Sequence, residues 1–125
     1  MPNYQVTAVF TSTANVDDNP DLVKRFLAAL SKGIDDYNAA LVDKTMSEED
    51  TRAIVEMIHE YVYADTPIDK ADPRIRAFGM RINPGAALNV ESVEDQLNWF
   101  KSEGLVPDSV TMDVLVDTSF VDQPS

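Results

Sequence analysis

Cysteine is missing from all 125 residues, which excludes disulfides, thiolate metal centres, iron–sulfur ligation and thiol catalysis. Histidine occurs once, at His59. His59-Glu60 has no second His four positions on from the first, so the paired-histidine zinc pattern is absent. Four glycines stand apart at 33, 79, 85 and 104, too scattered for a phosphate-cradling loop, a dinucleotide fingerprint or a nucleophile elbow. No run approaches the roughly 18 apolar residues that cross a bilayer. The opening Met1-Pro2-Asn3-Tyr4-Gln5-Val6-Thr7 has neither Lys nor Arg, so no signal peptide is expected. Basic residues are scarce as well. Ten Lys plus Arg face 22 Asp plus Glu, a net charge of −12 with a pI near 4.2. Duplex nucleic acid and anionic membrane surfaces meet repulsion from such a chain, and neither is expected as a partner.

What is present reads as a single domain over residues 1–125, large enough to bury roughly two-thirds of its unfolded surface. Tyr4, Val6, Ala8 and Phe10 alternate with Gln5, Thr7, Val9 and Thr11, which predicts a strand over 4–13. Asn19-Pro20-Asp21 is a helix start, with a capping amide, a first-turn proline and a dipole-matched carboxylate. Leu22, Phe26, Leu30, Ile34, Tyr37 and Leu41 recur at helical spacing and predict a helix over about 20–42 with one buried stripe. Gly33 within it implies a close contact or a kink.

Ser47-Glu48-Glu49-Asp50 opens a helix over 47–63 whose expected inner face is Ile54, Met57, Ile58, Tyr61 and Val62. Asp72-Pro73 starts a short helix over 73–79, with Gly79 as its expected C-cap. Ser92 is expected to cap a helix over 92–104 that buries Val93, Leu97 and Phe100, with Trp99 nearby, and Gly104 to close it. The segment from Val110 to Val116 reads as a short helix capped by Thr111 or as an extended stretch, and a helix over 111–117 is the favoured reading. The predicted fold is therefore mainly α with one N-terminal β-strand. A single strand leaves its backbone groups unpaired, and only Met80-Arg81-Ile82 competes to meet it. Its partner is expected either in another chain or in sequence outside these residues.

Catalytic and metal constellations are not visible. Asp17, Asp18 and Asp21 lack the ligand order of a calcium loop. Asp35-Asp36 and Glu48-Glu49 are sequence neighbours that diverge by about 100° on a helix. Arg74, Arg76 and Arg81 form the one basic patch and are expected to pair with the surrounding carboxylates. Tyr37, Tyr61, Tyr63, Trp99 and Phe100 sit at spacings typical of core aromatics. No enzyme, no metal and no cofactor is expected.

Three segments carry a resemblance. The strand of Tyr4–Thr13 leads into Asn19-Pro20-Asp21-Leu22-Val23 and the helix through Gly33. Val93-Glu94-Asp95-Gln96-Leu97-Asn98-Trp99-Phe100 leads to Gly104-Leu105-Val106. The chain then closes through Leu115-Val116-Asp117-Thr118-Ser119-Phe120-Val121. In this order they resemble the C-terminal part of periplasmic solute-binding proteins of the nitrate, alkanesulfonate, taurine and thiamine-pyrimidine ABC importers. The resemblance implies part of a two-lobed binding fold lacking most of its sheet. It implies a small organic or anionic ligand held by the full-length parent, delivery to a membrane permease, and a periplasmic or extracytoplasmic location for that parent. The family's ligand contacts lie mostly in sequence absent here, so none transfers; Tyr4, nearest the hinge crossing, is the single cleft candidate. The alternative reading is a stand-alone acidic helical interaction module, homodimeric through the strand over 4–13.

Overall fold

The computed structural model describes residues 4–121. Its regular elements are α1 (Thr13–Asp18), α2 (Pro20–Tyr37), a π-helical turn (Asn38–Val42), α3 (Glu48–Val62), α4 (Ile68–Ala77), a 3-10 turn (Pro84–Ala86), α5 (Val90–Ser102) and α6 (Met112–Leu115). Among the described residues there is no strand. The β-strand expected over 4–13 is thus corrected: residues 4–12 are neither helix, turn nor bend, and Thr13 already belongs to α1. Alternating β-branched residues make a strand only when a second backbone supplies the ladder bonds, and Met80-Arg81-Ile82 does not do so. Ser12 ends the extended stretch by capping α1, its hydroxyl accepting from the Asn15 N–H at 3.2 Å. The fold is mainly helical.

The chain divides into two compact units, Met1–Leu27 with Ala87–Ser125, and Ala28–Ala86. The second unit holds a packed core of Ala40, Leu41, Val55, Ala71 and Ile75, with Tyr37, Met46, Ile54, Ile58 and Tyr63 against it. Here α3 lies on α4 and on the π-helical turn. Ser47 caps α3 by accepting from the Asp50 N–H at 3.1 Å, and Glu48, Glu49 and Asp50 complement the helix dipole. The buried face of α3 is centred on Thr51 and Val55 rather than on the predicted residues; Met57, Tyr61 and Val62 face solvent. The pattern 54/57/58/61/62 and the pattern 51/54/55/58 both fit helical spacing, and packing against small Ala71 selects the second.

Helix α4 begins at Ile68, earlier than the Asp72-Pro73 start, because Pro67 occupies its cap and the Pro67 carbonyl accepts from Lys70 and Ala71 N–H. Pro73 is therefore internal, at the cost of one backbone donor. Phe78, not Gly79, is the C-cap residue. Gly79 has a different use: a Cβ there would lie 3.0 Å from Leu41 Cβ, so the absent side chain lets this loop approach the core. Gly33, by contrast, has nothing within 4 Å of a would-be Cβ, so of the close contact or kink expected there the contact is not found.

At the end of α2 the Asp43 N–H reaches back five residues to the Asn38 carbonyl, at 2.8 Å, which is the π-type bond. The turn leaves Lys44 at φ 54°, a left-handed conformation that costs a side-chain-bearing residue energy. Asn38 is buried, and its amide grips the Ile82 backbone at two points: Nδ2 donates to the Ile82 carbonyl (2.8 Å) and Oδ1 accepts from the Ile82 N–H (3.1 Å). One side chain thus imitates a strand partner for the 80–82 segment.

In the first unit, Leu97 and Ala87 are the buried apolar residues. Asn89 rather than Ser92 caps α5, its Oδ1 accepting from the Ser92 N–H at 3.1 Å. Gly104, at φ 69°, closes α5 with the Leu105 N–H bonded to the Phe100 carbonyl at 2.9 Å, a Schellman-type stop that favours glycine. Phe100 and Trp99, expected in the core, contact each other edge to face (centroids 5.1 Å apart) and remain exposed.

Candidate functional site

Two places bring polar groups together. The first, in the Ala28–Ala86 unit, is an open cleft of about 460 Å³ between α3 and α4. Its charged lining is four carboxylates (Glu48, Glu56, Asp69, Asp72) against two guanidiniums (Arg52, Arg76). Arg76 bridges Asp72 (2.8 Å) and Glu48 (2.9 Å), and Arg52 pairs with Glu56 (2.9 Å). Burial works to lower the Arg76 pKa, but the bonds to Asp72 and Glu48 outweigh it and the net shift is upward. Both cations are spent on carboxylates of the same cleft. An anionic ligand would have to displace those pairs and would face the excess negative charge, so this cleft does not suit the anion expected of the parent. Arg81 of the same basic patch is paired with Asp43.

The second place, in the other unit, is built around Gln5. Its N–H donates to Ser92 Oγ (2.9 Å), its carbonyl accepts from Gln96 Nε2 (2.9 Å), and its side-chain Oε1 accepts from the Asn89 N–H (2.8 Å). Ser92, taken from the sequence as a helix cap, instead receives the N-terminal arm. This three-point junction ties the arm to the first turns of α5. The cleft candidate Tyr4 precedes it and is about half exposed (49%). No signal in the sequence marked Gln5, since isolated amides look alike until their partners are known.

Other candidates are structural in geometry. His59 Nε2 lies 2.6 Å from the Thr66 carbonyl, spanning the end of α3 and the loop beyond. Among the described residues no three His, Cys, Asp or Glu converge as a metal site, and Asp17 and Asp18 lie on α1 while Asp21 lies in the first turn of α2. Tyr61, expected in a core, is 80% exposed, whereas Tyr37 and Tyr63 pack on the core. Asp36 pairs with Lys32 one turn away at 2.8 Å.

With these sites in view, residues 1–40 match the model of the NMT1/THI5-like family. That segment resembles a solute-binding family. It contains the arm, α1, all of α2 and the start of the π-helical turn, and the family is generally non-enzymatic, a component of transporters typically found in the periplasm. No curated protein and no solved structure matches the chain. Among the described residues, no helix is long and apolar enough to cross a membrane.

Proposed function

We propose that the chain is a fragment or truncated relative of the substrate-binding component of an ABC importer, in which it packs behind a cleft and does no chemistry. The observation that carries this reading is the family match over residues 1–40, the segment that also bears the uncovered apolar positions Val6, Phe10, Leu22 and Phe26. The parent captures a small organic or anionic nutrient outside the cytoplasm, in the periplasm, and hands it to a permease. Ligand contacts come from the parent's remaining sequence, with Tyr4 the contribution of this chain. Capture is non-covalent and closes two lobes about a hinge.

Uptake measurements test this reading. Cells carrying the intact gene and cells in which it is disrupted are compared for uptake of labelled nitrate, taurine, an alkanesulfonate and an aminopyrimidine. Loss of uptake of one of them is the expected result; unchanged uptake of all four overturns the proposal. The purified chain, titrated calorimetrically with the same compounds, is expected to show no tight binding, because one side of a cleft lacks the opposing contacts that enclose a ligand.

A further inference from the structure

The N-terminal arm differs from the rest of the chain in charge, conformation and burial together. The first charged residue is Asp17, so the first 16 positions are neutral while the remainder carries the whole net charge of −12. Residues 4–12 run without helix, turn or bend, and none has a positive φ. Val6 is 78% and Phe10 93% exposed. The window Val6-Thr7-Ala8-Val9-Phe10-Thr11 has high β-propensity, no charge, no proline and no glycine, a composition that pairs with copies of itself.

The Gln5 junction decides which edge of the arm is available. In extended backbone the N–H and C=O of one residue point to the same side, and successive residues alternate. The N–H and carbonyl of Gln5 are both held by α5, and the Thr7 carbonyl accepts from Gln5 Nε2 at 2.6 Å. The odd-numbered groups therefore lie on the anchored side. The even-numbered groups, of Val6, Ala8 and Phe10, form the open edge.

We propose that this edge docks the same segment of a second copy, antiparallel and centred on Ala8. In that register Ala8 faces Ala8 of the other copy and exchanges two hydrogen bonds with it. Val6 faces Phe10 at both ends, an aromatic and β-branched cross-strand pair, and the two-fold symmetry makes every contact occur twice. Ala8 at the centre holds no bulk between the backbones. No charge opposes charge within the pair, whereas the bodies repel, so salt strengthens the association by screening them. The proposal is independent of any transport role.

Sedimentation of the full chain over a dilution series, at low and high salt, tests it alongside Ala8→Pro and Val9→Pro. The wild type is expected to pass from monomer to dimer with rising concentration, more readily at high salt. Ala8→Pro deletes both central donors and weakens dimerisation by at least about tenfold, while Val9→Pro removes a donor from the anchored side and leaves a dimer. Amide exchange at high concentration gives a second readout that does not depend on the variants: Val6, Ala8 and Phe10 become protected and Thr7 and Val9 do not. A wild type monomeric at every concentration, association untouched by Ala8→Pro, open-ended fibres, or protection of Thr7 and Val9 instead would each overturn the proposal.

Discussion

Helix α2 carries one apolar stripe with two fates. Its C-terminal members Ile34 and Tyr37, followed by Leu41 in the π-helical turn, are wholly or partly buried in the Ala28–Ala86 unit, while Leu22 and Phe26 near its start are 52% and 56% exposed. The same contrast separates the two units. One encloses Val55 and Ala71 completely; the other buries Leu97 and Ala87 and leaves Trp99, Phe100, Leu105 and Leu115 in solvent. Periodicity states that a face is apolar but not that anything covers it. Apolar burial is the main stabilising term, so the two units are held by different means: Ala28–Ala86 by an enclosed core, the other by a smaller buried set together with hydrogen bonds such as the Gln5 junction.

The largest expected effect tests that contrast directly. Val55→Ala removes packed methyl groups from a fully enclosed site and is expected to cost about 2.5 kcal/mol. Phe26→Ala deletes a larger side chain from an open site and is expected to cost less than about 0.5 kcal/mol. Denaturant midpoints measure both, and a Phe26→Ala loss equal to that of Val55→Ala would break the comparison.

Next comes Asn38→Ala, which leaves the N–H and carbonyl of Ile82 without their partner. A loss of about 2 kcal/mol is expected, with faster amide exchange at Ile82 as the local signature. A smaller and opposite effect is expected from Lys44→Gly: relieving the left-handed conformation at φ 54° stabilises by about 0.5–1 kcal/mol. A destabilised Lys44→Gly would show that the turn is held by the lysine side chain instead.

The smallest effect concerns Asp117, whose pKa is lowered by hydrogen bonds from the Ser119 hydroxyl and N–H. A depressed folded-state pKa contributes stability above the ordinary aspartate range, and that contribution is lost as pH falls through the depressed value. Carboxyl resonances followed by NMR are expected to show Asp117 titrating below its ordinary value, and Ser119→Ala is expected to move it back upward. Because the group is fully exposed, global stability is expected to change little.

Much of the local structure was legible from residues alone. Ser47 with three following carboxylates marks the start of α3, Gly104 marks the end of α5, and the spacing of Leu22 through Leu41 marks a helix. These signals act within a few residues, where capping bonds and side-chain periodicity are formed. The misreadings were of another kind. Tyr4–Thr13 has the alternation of a strand yet lacks a second backbone, Ser92 has the chemistry of a cap yet receives Gln5, and Gly79 follows a helix yet serves contact with Leu41. The candidate site fared likewise: the α3–α4 cleft is made of charges visible one by one, with Arg52–Glu56 and Arg76–Asp72 one turn apart, but the bridge across it joins Arg76 to Glu48, 28 positions away.

The starts of α2 and α3, the glycine stop of α5 and the net charge thus follow from composition and short-range spacing. The fate of the arm, the choice between two apolar faces of α3 and the bridge from Arg76 to Glu48 depend on which distant segments meet. Hydrogen bonding and burial need two surfaces, and a linear chain names only one of them at a time.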